Sequence, residues 1–62
     1  MLSEEQINAA IRLAELWTIR ELDPLTYGTR RLGEEKEDIY SKFGANDEFM
    51  NEALRLHHMQ LK

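Results

Sequence analysis

Apolar residues recur at three- and four-residue intervals along most of the chain, a period that predicts helices rather than strands. The longest such run extends from Ile7 to Leu22. On a wheel advancing about 100° per residue, Leu13, Trp17, Ala10, Ala14, Ile7, Ile11 and Leu22 fall on one face, widened by Ala9 and Leu16. A helix packed on one side needs an arc only a little over ~100° wide, and this arc is wider than half the circumference. The run is therefore expected to be the central helix of a small bundle, or to share one side with a second chain. Its start is marked by Ser3 and Gln6, spaced as a capping box, and by Leu2 and Ile7, spaced as a hydrophobic staple. Glu4 and Glu5 place negative charge at the positive end of the helix dipole.

Asp23-Pro24 closes this helix and opens another, because Asp is a strong N-cap and the missing N–H of Pro costs nothing at the first helical position. Leu25, Gly28, Leu32, Lys36, Ile39 and Phe43 then fall in one narrow stripe, with Tyr40 at its margin. The stripe predicts a helix over 24–43, continuous or briefly interrupted. Gly28 and Gly33 oppose continuity at ~1 kcal/mol each relative to Ala, and a fresh start at Thr29 is the competing reading. Gly44 ends the segment. Asn46 caps a third helix with Asp47 and Glu48 in its first turn, and Phe49, Met50, Ala53, Leu54, Leu56, His57 and Leu61 form its apolar face. The expected fold is a single all-α, three-helix domain over 1–62, an αα-hairpin plus a C-terminal helix, with helices over about 4–22, 24–43 and 47–61.

Composition adds pressure toward association. A chain of 62 residues buries only ~60% of its unfolded surface, and without cysteine it has no disulfide to compensate. A homodimer is expected for that reason, since homo-oligomers most often close with two-fold symmetry. No apolar run approaches the ~20 residues that span a bilayer, and the N-terminus is acidic where a signal peptide would be basic. A soluble, cytoplasmic protein with no membrane partner is expected. The net charge of −4 disfavours long-range attraction to nucleic acid.

Candidate chemistry is sparse. His57 and His58 are adjacent and point about 100° apart, so they do not form the i, i+4 pair that shares a metal; His57 reads as a core or interface histidine. Glu34, Glu35, Glu37 and Asp38 lie off the apolar stripe and form a candidate acidic docking surface, though a solvated helix face accounts for them as well. Arg12, Arg20, Arg30 and Arg31, the last two near Tyr27, are the candidate nucleic-acid contacts, but the acidic run follows them directly. The helix after Gly44-Ala45-Asn46 opens Asp-Glu, which is wrong for a recognition helix entering a groove. Ile19 on helix one and Met59 on helix three project from polar faces. With Leu16 and Trp17 they make a candidate protein interface. No phosphate-binding loop, nucleophile elbow or metalloprotease motif occurs, so no cofactor, metal or enzymatic activity is expected. The reading is a small non-enzymatic module that binds protein through a helical surface, as inhibitor, adaptor or assembly subunit. A small dimeric DNA-binding regulator is the alternative.

Overall fold

A computed structural model describes residues 1–28 and 30–61, the side chains of Tyr27 and Leu61 excepted. The described chain is all-α, with four helices: α1 (Glu4–Leu22), α2 (Pro24–Tyr27), α3 (Arg30–Phe43) and α4 (Asp47–Leu61). The three-helix expectation is therefore wrong, and the error lies between residues 24 and 30. Asp23 accepts from Thr26 N–H, Pro24 occupies the first turn, and Gly28 closes that turn by donating to the Pro24 carbonyl at 2.9 Å. Leu25, the first member of the supposed continuous stripe, is 90% exposed. Burial of Leu25 does not hold this first turn in line with α3 and so does not offset the helix cost of Gly28. Thr29, where the competing reading placed a fresh start, lies outside the described residues.

The first boundary follows from local chemistry. Ser3 Oγ accepts from Gln6 N–H at 3.2 Å while Gln6 Oε1 accepts from Ser3 N–H at 2.8 Å, closing a reciprocal capping box. At the other end of the chain, Asn46 Oδ1 accepts from Phe49 N–H at 3.2 Å and starts α4.

Every other helix packs on α1, and α4 does so most extensively. The N-terminal amine of Met1 lies 3.5 Å from Glu48, and Thr18 reaches His57 and Gln60, so α1 and α4 run in the same direction. The core consists of Ala10, Leu13 and Leu16 from α1, Ile39 from α3, and Phe49 and Ala53 from α4. Phe43 and Phe49 close the α3–α4 corner with ring centroids 5.2 Å apart. Among the described residues, Phe49, Leu13 and Leu16 are the largest side chains fully withdrawn from solvent. The fold is flat, with extents of 35 × 27 × 16 Å, and its radius of gyration of 11.3 Å exceeds the about 10.6 Å expected for this length. Its accessible surface of 4477 Å² is likewise above the about 4,200 Å² expected for its mass. Thin architecture of this kind leaves large apolar side chains in contact with water.

Candidate interaction site

Of the four residues expected to form an interface, the structure buries one, half-buries two and exposes one. Leu16 is fully buried in the core and offers nothing to a partner. Trp17 is half-buried: its indole N–H donates to Tyr40 OH at 2.9 Å and its ring meets His57 edge-on at 5.7 Å. Ile19 is half-buried, and Met59 is 60% exposed with its sulfur accepting from Arg55 at 3.3 Å. Helical geometry sets Leu16 and Ile19 about 60° apart on one side of α1, with Trp17 about 100° from Leu16 on the other.

Two of the four acidic candidates pair with two of the four basic ones. Arg12 Nε lies 2.9 Å from both Glu35 oxygens, and its Nη1 reaches Glu15 at 3.2 Å. The bond from Arg12 holds the Glu35 carboxyl below its ordinary range, against a smaller opposing effect of partial desolvation. Arg30 pairs with Glu34 at 2.9 Å, and Lys42 pairs with Asp38 at 3.2 Å, each one helical turn apart. Glu37 is exposed, and Arg31 is exposed and adds its charge to the field that lowers Glu35. Neither an acidic docking surface nor a basic stripe converges from these sets.

Other residues, expected in the core, are exposed instead. Ile7 is 43% exposed, Ile11 38% and Leu22 71%, and the three fall on one stripe of α1. The signal that separates them from the core was present in the sequence. Thr18 and Glu21 fall within the same wide arc, at about 20° and 320° when Ile7 is set to zero. They form a polar notch that receives His57 from α4. Thr18 Oγ1 lies 3.1 Å from His57 Nδ1, 2.7 Å from Gln60 Oε1 and 2.9 Å from the Ala14 carbonyl, while Glu21 Oε1 lies 3.3 Å from His57 Nε2. The notch fixes α4 over the Ala10–Ala14 side of α1, and Ile7, Ile11 and Leu22 are left at its edge.

His57 is buried, at 7% exposure, and both ring nitrogens have polar partners. No group of three or more His, Cys, Asp or Glu residues able to hold a metal occurs among the described residues. Two grooves open on the surface. One, of about 420 Å³, is lined by Trp17, Arg20, Glu21, Leu54 and His57. The other, of about 270 Å³, is lined by Met1, Leu2, Ile7, Glu48 and Glu52. No described helix is long and apolar enough to cross a membrane. No protein-family model matches the chain, and neither a curated protein nor a solved structure is detectably similar to it.

Proposed function

We propose that this chain is a non-enzymatic helical interaction module whose first partner is a second copy of itself, meeting it through the Ile7–Ile11–Leu22 stripe of α1. The exposure of these three aliphatic side chains in one register carries the reading. Scattered exposed apolar residues are ordinary, but three large ones within about 60° of one helix face, beside a small core, offer an interaction surface. From Ile7 to Leu22 the stripe runs about 22 Å. A two-fold axis perpendicular to it sets Ile7 against Leu22 of the copy. The flat shape and the excess of accessible surface support the same reading, because a chain this short gains the burial it lacks by pairing. An inhibitor, adaptor or assembly subunit would work in this way, presenting one helical face and carrying out no reaction of its own.

The pairs Arg12–Glu35 and Arg30–Glu34 count against the nucleic-acid alternative, because two of its four proposed contacts already hold carboxylates. The test is mass by light scattering and melting across protein concentration. A dimer whose melting temperature rises with concentration is expected, and Ile7→Glu with Ile11→Glu should convert it to a monomer. A monomer mass at ~100 µM with concentration-independent melting would refute self-association.

A further inference from the structure

The groove beside Trp17 is centred about 120° around α1 from the Ile7–Ile11–Leu22 stripe, and its lining is chemically asymmetric. Trp17 and Leu54 supply apolar walls, and Leu54 is 45% exposed there. The one carboxylate in the lining, Glu21, is half exposed and lies 3.3 Å from His57 Nε2, with no ion pair to Arg20. Arg20 is exposed and has no ion pair or hydrogen bond with any described residue, whereas Arg12, Arg30, Lys42 and Arg55 each hold a carboxylate. An unneutralised guanidinium next to apolar walls fits an anion carried on an apolar body, and its planar fork matches a carboxylate best. The groove is open and shallow, built from two helices. A free small ligand needs a cleft that encloses most of its surface, so the geometry favours the end of a longer chain.

We propose that this groove binds the free C-terminal carboxylate of a partner polypeptide ending in an apolar residue, with Arg20 on the carboxylate and the last side chain between Trp17 and Leu54. The proposal stands on residues apart from the α1 stripe, so it survives or fails independently of self-association.

The test titrates the full chain with N-acetyl-Gly-Gly-Leu as the free acid and as the amide. Trp17 is the sole tryptophan, so its fluorescence and its indole N–H resonance report the groove directly. The acid should bind about fivefold more tightly than the amide, the size of a partly exposed charge contact. Arg20→Gln should abolish that difference while leaving the melting temperature unchanged, Arg20→Lys should retain part of it, and Leu54→Asp should weaken both probes. Equal dissociation constants for acid and amide would overturn the proposal, as would unchanged discrimination in Arg20→Gln, which would leave Arg20 only a partner of the helix dipole. Binding of 3-methylbutanoate as tight as that of the tripeptide would overturn the assignment to a polypeptide end.

Discussion

Replacing Leu16 with Ala separates the core from the interface, because the residue was a candidate for the second and the structure gives it to the first. Its side chain is fully buried among α1, α3 and α4. The substitution removes three carbons, worth about 2.4 kcal/mol at ~0.8 kcal/mol per buried methylene, and the cavity left behind adds to this. A 62-residue domain has about 3–9 kcal/mol of stability in total, at ~0.05–0.15 kcal/mol per residue. The change thus removes a large fraction of it and should lower the melting temperature by at least about 10–20 °C. At protein concentrations low enough for the monomer, Ile11→Ala on the same helix should cost about 1 kcal/mol, because the side chain is already 38% exposed there and Ala is the better helix former. Far-ultraviolet circular dichroism, followed in heat and in urea at several protein concentrations, measures both. The Leu16→Ala loss should be present at every concentration, whereas a loss at an interface grows as the protein is concentrated. Leu16→Met, which conserves volume, should stay within about 1.5 kcal/mol and keeps the comparison readable where the Ala variant is unfolded. A Leu16→Ala loss below about 1 kcal/mol, equal to that of Ile11→Ala, would refute this account of the core.

Glu35 is held below its ordinary value of 4.5 by Arg12, so its contribution is complete above that value and is lost as pH falls through the lower folded one. Glu35→Gln should therefore flatten the acid limb of the stability profile below about pH 4.5, modestly because both side chains are more than one-third exposed, as urea midpoints across pH will show. Tyr40→Phe leaves the half-buried indole N–H of Trp17 without its 2.9 Å acceptor and should cost about 1 kcal/mol, with a shift in tryptophan emission as the independent readout. Gly33 lies within α3, and a Cβ there would meet nothing within 4 Å, so Gly33→Ala should raise stability by about 0.8–1 kcal/mol in thermal melts. At Gly44 a Cβ would sit 2.5 Å from the Tyr40 carbonyl oxygen, so the same substitution there should lower the melting temperature.

The sequence by itself determined the features that need only neighbours three or four residues away. Ser3 and Gln6 find each other across one turn, Asn46 reaches the Phe49 N–H across another, and Asp23-Pro24 both ends α1 and begins α2. The all-α character and the central place of α1 follow from the same local periodicity, which the width of the α1 arc made visible. Tertiary structure alone decided which parts of that arc meet protein and which meet water. Burial depends on where a distant helix lands, and His57 lands in the notch of Thr18 and Glu21, 39 and 36 residues away in the chain. That docking leaves Ile7 and Ile11 exposed at its edge and Arg20 unpaired beside Trp17, while Leu16, on the far side of α1, is buried in the core cluster that includes Ile39 of α3. The pairing of Arg12 with Glu35, 23 residues apart, likewise cancels two charges that separately looked like opposite kinds of binding surface. The break before α3 belongs to the same class. A stripe of apolar residues supports a continuous helix only where something packs against it, and nothing covers Leu25.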